Sequence, residues 1–369
     1  MKEILDDIDR WRDAGQRIAL ARVVDIEGSG PRDPGASMAV NEDGEVAGSV
    51  SGGCVEGAVV TEALDILASG DRRMVSFGYS DDEAFAVGLT CGGTVHLFIE
   101  PLDWQAAPMS EMFEALETAL RTNQPVALVT VVEGPHVGRK LLVGPDREPL
   151  GSLGDPDLDR VVARDALGEL EAGTTIVRHY GGHGEARERT VSVFVESFAP
   201  PPQMLVFGAV DFTKALVKVA KVLGYRITVC DAREVFATRR RFPDADEVVV
   251  DWPHRLLERV GSDLGPRDAI CVLTHDHKFD IPAIVAALRT DVGYLGAMGS
   301  RRTHADRVER LRAEGVDDAG IGRVMAPIGL DLGGRTPEET AISICAEIIA
   351  LRTGRVAPSL RDSDGAIHR

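Results

Sequence analysis

The sequence predicts a mixed α/β protein: a duplicated N-terminal α+β domain, then a Rossmann-like domain with a doubly wound parallel sheet. Three observations predict it. The first half of the chain contains one segment twice. The stretch Ala199-Pro200-Pro201-Pro202 can continue neither a helix nor a central strand. Beyond it, short apolar strands alternate with amphipathic helices. The 369 residues fit two or three domains at roughly 150 residues each. The boundaries expected are 1–198, with copies at 1–101 and 109–197, and 203–369.

The chain opens on a charged helix with Ile4, Leu5, Ile8 and Trp11 on one stripe. Residues 1–24 align without a gap on 109–132, 48–70 on 151–173, and 94–100 on 190–196. Each copy reads helix, strand, Gly-containing turn, helix, then a strand pair. The two copies are expected to pack around a shared sheet. In the second domain a strand at Met204–Phe207 ends at Gly208, and a helix at Asp211–Leu223 is closed by Gly224. Strands follow at Arg226–Cys230, Val248–Val250, Ala269–Leu273 and Val292–Leu295. Thr336-Pro337-Glu338-Glu339 is a capping box that opens a final helix to about Arg352.

Composition narrows the function classes. The hydrophobic fraction of 44% supports real cores, and the formal net charge of -18 repels nucleic acid and anionic membranes at long range. Aromatic residues are 5%, too few for base-stacking surfaces. The N-terminus lacks the apolar stretch of a signal peptide, and no run of 18 apolar residues occurs, so a cytoplasmic protein is expected. Five cysteines with no CxxC pattern read as cytosolic thiols, not as a disulfide framework.

The copies differ where chemistry is expected. Copy one carries GSGPRDPGAS (28–37), SGGCVEG (51–57) and CGG (91–93), and copy two has unrelated, more charged loops there. Cys54 is placed at a helix N-terminus, where the dipole and free N–H groups favour thiolate. Gly52 and Gly53 let a ligand approach the backbone. The same loop also reads as a tight strand-to-helix turn around a small buried residue. Cys91 either converges on Cys54, as a dithiolate or redox pair, or is a turn cysteine. Cys230, Cys271 and Cys345 lie in apolar strands or on an apolar helix face and read as core. Ser29 and Arg32 lie in a Pro/Gly loop, where Arg32 can grip a phosphate or the loop is an ordinary hairpin.

In the second domain the dinucleotide fingerprint is incomplete. Only Gly208 of the expected glycines is present, and Asp211 near the helix start repels a pyrophosphate. Asp231 stands where ribose hydroxyls bind, so NAD(P) is an alternative ligand and an NAD(P)-binding oxidoreductase an alternative function. Thr274-His275-Asp276-His277…Asp280 can bind a metal or handle protons. Ser300, Arg301 and Arg302 open a helix as an anion site or as an ordinary cap with solvated arginines.

Taken in order, GSGPRDPGASM, GSVSGGCVEGAV, TCGG, VCDAR, LTHDHKFD, LGAMGSRRTH and PIGLDLGGRTPEETAISICAEI resemble the XdhC/CoxI family of xanthine dehydrogenase accessory factors. The resemblance runs over nearly the whole chain. It implies a maturation factor that binds molybdenum cofactor (molybdopterin) and delivers it, with or without sulfuration, to a xanthine dehydrogenase or CO dehydrogenase type molybdenum hydroxylase. The family's Gly-Gly-Cys falls on Gly52-Gly53-Cys54, which makes Cys54 the expected ligand of the cofactor's molybdenum. The implied partners are the apoenzyme, a cysteine desulfurase and further copies of this chain, with no nucleic acid and no membrane. The chain departs from the family at Gly208-Ala-Val-Asp211, where members often carry Gly-x-Gly-His. No flavin, iron–sulfur or molybdopterin-domain pattern supports xanthine dehydrogenase chemistry in the chain itself.

Overall fold

A computed structural model describes residues 1–28, 30, 32–78, 93–102 and 109–362. Its contacts define two units, Met1–Pro200 together with the chain from Leu360 on, and Pro201–Ser359. No helix among the described residues is long and apolar enough to cross a membrane.

In the first unit, copy one comprises α1 (Leu5–Asp13), β1 (Ile18–Glu27), β2 (Ser37–Asn41), β3 (Val46–Gly48), α2 (Glu56–Ser69), β4 (Arg73–Gly78) and β5 (Thr94–Pro101). Copy two repeats them as α3 (Met109–Thr122), β6 (Val126–Glu133), β7 (Lys140–Gly144), β8 (Arg147–Gly151), α4 (Pro156–Ala172), β9 (Ile176–Tyr180) and β10 (Val191–Phe198). The sheets have one topology, β3-β2-β1-β5-β4 and β8-β7-β6-β10-β9, with antiparallel pairs throughout. Even the irregularity is duplicated: Val24 and Val132, at aligned positions, are each the extra residue of a bulge opposite the last strand.

The expectation of one shared sheet is corrected. Each copy closes its own five-stranded sheet because the central strand is hydrogen-bonded on both sides within the copy, β1 by β2 and β5, and β6 by β7 and β10. The copies meet through side chains instead. Strand alternation divides these side chains cleanly. Ala19, Ala21 and Val23 pack under α2, and Ala127, Val129 and Val131 under α4. From the opposite faces, Leu20 and Leu128 join residues of α1 and α3 in one cluster, while Val24, Phe98, Val132 and Phe194 form another. The two sheets therefore pack face to face.

The second unit is a six-stranded parallel sheet in the order β13-β12-β11-β14-β15-β16. Its strands are β11 (Gln203–Phe207), β12 (Arg226–Cys230), β13 (Glu247–Val249), β14 (Ala269–Val272), β15 (Tyr294–Ala297) and β16 (Val324–Met325). The helices are α5 (Asp211–Val222), α6 (Pro253–Val260), α7 (His277–Ala287), α8 (Arg301–Ala313), α9 (Asp318–Gly322) and α10 (Pro337–Arg352). Two core clusters lie on opposite faces of the sheet, one including α5 and α10 and the other α6 and α7, which is the doubly wound arrangement. The Thr336 capping box opens α10 as the sequence indicates.

Candidate functional site

The segment between β3 and α2 is tied by one carboxylate and two hydroxyls. Glu56 accepts from Ser49 Oγ at 2.7 Å, from Ser51 N at 2.9 Å, from Ser51 Oγ, and from Gly53 N at 2.9 Å. Ser51 Oγ accepts from Cys54 N at 2.9 Å and Val55 N at 3.0 Å, and Ser49 Oγ accepts from Gly52 N at 2.8 Å. Burial opposes ionisation of Glu56, but the hydrogen bonds from Ser51 and Ser49 outweigh it and hold the carboxyl at about 2. Glu56 is thus a fixed charge and a poor proton acceptor.

This changes the reading of the loop. The amides of residues 51 to 55 are all committed to Ser49, Ser51 and Glu56, so none of these five is left for a thiolate or a guest, and α2 begins only at Glu56. What the loop offers is open backbone. Gly52 and Gly53 have φ of 78° and 118°, and a Cβ on either would meet nothing within 4 Å. The glycines are needed for conformation, and the space above them is accessible to a guest. Cys54 is half-buried and packs against the core under α2. Arg32 is exposed and lies 3.7 Å from Glu3. Ser29 and Cys91 lie outside the described residues.

The remaining cysteines are core, as their sequence context indicates. Cys230, Cys271 and Cys345 are buried, and burial pushes their thiols up, to about 12 for Cys230 and about 11 for Cys345.

In the second unit the expected ligand contacts are largely turned inward. Asp231 is 3% exposed and accepts from Ala209 N (2.8 Å), Arg233 N (2.9 Å), and Arg233 Nε and Nη2 (2.9 and 2.7 Å). Burial opposes its ionisation, but Arg233 and the amides outweigh it and hold its carboxyl below the ordinary range. Its hydrogen-bonding positions are thus taken up within the protein. Gly208, at φ 111°, is required for another reason: a Cβ there would sit 2.8 Å from Thr274 Cγ2 at the end of β14. Ser300 caps α8 through Thr303 N (3.1 Å), and Arg301 and Arg302 are exposed on its first turn. Asp276 caps α7, while Asp280 turns to Thr274 Oγ1 and to Arg307 Nη2 at 3.2 Å, away from a metal-ligand arrangement with the histidines. Burial raises Asp280 to about 6 despite Arg307. Among the described residues no group of three or more His, Cys, Asp and Glu is arranged to hold a metal ion.

One charged cluster escapes a reading of the sequence alone. Between the two sheets, Arg22 donates to Glu100, Glu196 and Thr130, and Lys140 donates to Glu100, with Arg22 0% and Glu100 2% exposed. A signal is present in the repeat, which places Glu100 on Glu196. A charge at one strand position normally faces solvent, so the repeat by itself does not mark these residues as buried.

Comparison with known proteins covers both units. Residues 11–78 and 119–181 match the XdhC and CoxI family, and residues 204–348 match the XdhC Rossmann domain. The chain is 27% identical over 350 residues to a probable xanthine dehydrogenase subunit of Bacillus subtilis (strain 168), covering 94% of this chain and 96% of that protein. It is 26% identical over 339 residues to the molybdenum cofactor insertion chaperone PaoD of Escherichia coli (strain K12), covering 92% of this chain and 85% of that protein. Among solved structures, a xanthine dehydrogenase from Bacillus halodurans superposes with a TM-score of 0.66 and 25% identity, over 97% of this chain and 98% of that one.

Proposed function

Since the chain belongs to the XdhC and CoxI family, we propose that it is a cytoplasmic, homo-oligomeric accessory factor that binds molybdenum cofactor and delivers it to a molybdenum hydroxylase of the xanthine dehydrogenase or CO dehydrogenase type. The observation that carries this reading is the loop at Gly52-Gly53-Cys54: open backbone beside a half-buried thiol, held rigid by Glu56, and confined to one copy of the repeat. The relative named as a molybdenum cofactor insertion chaperone supports it.

The donor set suits such a guest. The cofactor, when bound, supplies a pterin dithiolene and a thiophilic molybdenum. Cys54 is the soft ligand for the metal, and the faces of Gly52 and Gly53 admit a bulky group against the backbone. With the loop amides committed, the phosphate falls to side chains, for which Arg32 is the candidate. Sulfuration, with a cysteine desulfurase as sulfur donor, belongs to the same reading, because a thiol such as Cys54 can carry persulfide sulfur.

The test is anaerobic purification from a molybdenum-replete host, with metal and pterin analysis and transfer to an apo-hydroxylase. Wild type is expected to retain both components and restore activity, and Cys54→Ala to do neither. Unchanged retention and transfer by Cys54→Ala would remove Cys54 from the mechanism. A nicotinamide-nucleotide function has the strand order of the second unit in its favour, against the saturated Asp231. Titration with NAD(H) followed by nicotinamide fluorescence separates the two, since the accessory reading expects no saturable binding.

A further inference from the structure

A cavity of about 80 Å³ lies within the first unit, between the two copies and apart from the Gly-Gly-Cys loop. Leu20, Met109, Met112, Phe113, Leu116 and Leu128 contribute its apolar wall, and Arg22, Arg72, Glu100 and Lys140 its polar end. The polar end is a built cluster. Arg22 is fully buried and spends its terminal nitrogens on Glu100, Glu196 and Thr130, but its Nε–H is buried with no partner. Glu196 Oε1 is likewise buried and unpartnered.

Arg72 completes the site from copy one. Its Nε lies 3.6 Å from Glu100 Oε2, and its side chain passes directly over Gly138 of copy two. A Cβ on Gly138 would overlap Arg72 Cδ and Nε, so only glycine leaves this path open. The cluster then holds three cations, Arg22, Arg72 and Lys140, against two carboxylates, Glu100 and Glu196. Burial and the neighbouring Arg22 bring Lys140 down to about 8 in spite of Glu100. Excess positive charge in a desolvated place favours an anionic guest over a cation or a neutral molecule.

We propose that this cavity binds a short aliphatic monocarboxylate of acetate size, with its head at Arg22, Lys140 and Arg72 and its methyl group against Met112, Phe113 and Leu116. The volume limits the guest. A cavity of ~150 Å³ accommodates benzene with its six heavy atoms, so one about half that size suits a guest of roughly three or four, an acetate-sized carboxylate.

The test uses the full chain labelled with ¹³C at the methionine methyls and titrated with acetate, and in parallel with ethanol and ethylammonium. Acetate is expected to shift the Met109 and Met112 methyls saturably, while the two controls do not. Arg72→Gln changes a partly exposed side chain and should weaken acetate binding about tenfold, the scale of one charge-assisted contact. Gly138→Ala, which displaces Arg72, should change affinity in the same direction. Equal shifts with ethanol, unchanged affinity in Arg72→Gln, or no saturable shift with any probe would each overturn the proposal, the last by showing a cavity that holds only water.

Discussion

The two copies of the N-terminal repeat share a sheet topology and a bulge, and they part at one turn of helix. In copy two, α4 starts at Pro156, and Asp155 caps it by accepting from Asp157 N and Leu158 N at 3.0 Å each. The alignment of 48–70 on 151–173 places Gly53 on Pro156, yet α2 starts at Glu56, three residues further on. The first turn of that helix has been opened into a loop. Glu56 and its aligned partner Asp159 do related work, since Asp159 accepts from Leu153 N at 2.7 Å. The longer side chain of Glu56, with Ser49 and Ser51, holds an unwound turn in place of a capped one. Duplication therefore left one copy free to keep the stable helix start, while the other exposes backbone and a thiol.

The largest effect that would sharpen this comparison lies at the seam. Arg22 in copy one aligns with Thr130 in copy two, and Arg22→Ala strands Glu196 in a buried site. Urea unfolding is expected to show a loss of about 3–5 kcal/mol, against about 1 kcal/mol for Thr130→Ala, which removes hydrogen-bond acceptance alone. Equal losses would mean that the copies share the seam evenly.

At the loop, Gly53→Ala forces a Cβ onto a backbone with φ of 118° and should cost about 1–3 kcal/mol. Loss of cofactor retention should accompany it. Asp155→Ala in copy two should cost about 1 kcal/mol by removing a helix cap and leave retention unchanged. An effect of Asp155→Ala on retention would break the assignment of copy two as scaffold.

The seam also carries an effect of pH. Copy one brings a permanently charged Arg22 to the seam, and copy two brings Lys140, lowered by burial to about 8 from the ordinary lysine value of 10.5. Between these values the unfolded chain holds a proton that the folded chain has released, so stability rises with pH across that window. Unfolding measured from pH 7 to 11 should show this rise in wild type and lose it in Lys140→Met. A fall over the same range would show that Glu100 holds the proton on Lys140.

Much of this architecture is legible in the sequence. Parallel strands buried on both faces read as continuous apolar runs, so Met204–Phe207 and Ala269–Val272 stand out, and Thr336 and Glu339 mark the start of α10. The duplication is legible because its copies align without gaps. Two separate sheets are not, because which strands pair across a copy depends on long-range contacts that the pattern of a single strand does not encode. In the candidate site, Gly52, Gly53 and Cys54 can be found by contrast between copies, but the commitment of their amides to Ser49, Ser51 and Glu56 depends on side-chain geometry. At Asp231 the position at the end of β12 is legible, while the pairing of its oxygens with Arg233, two residues on, depends on side-chain geometry in the same way.

The central claim is that the opened turn of copy one holds the cofactor. Replacing Ser51→Gly, Gly52→Asp, Gly53→Pro, Cys54→Asp and Val55→Leu writes the copy-two turn into copy one and should restore an early helix start. After anaerobic purification from a molybdenum-replete host, molybdenum and pterin content per chain is the measurement. The account predicts a folded protein, by circular dichroism and thermal unfolding, that has lost both molybdenum and pterin. A folded graft carrying both at the wild-type level would contradict it.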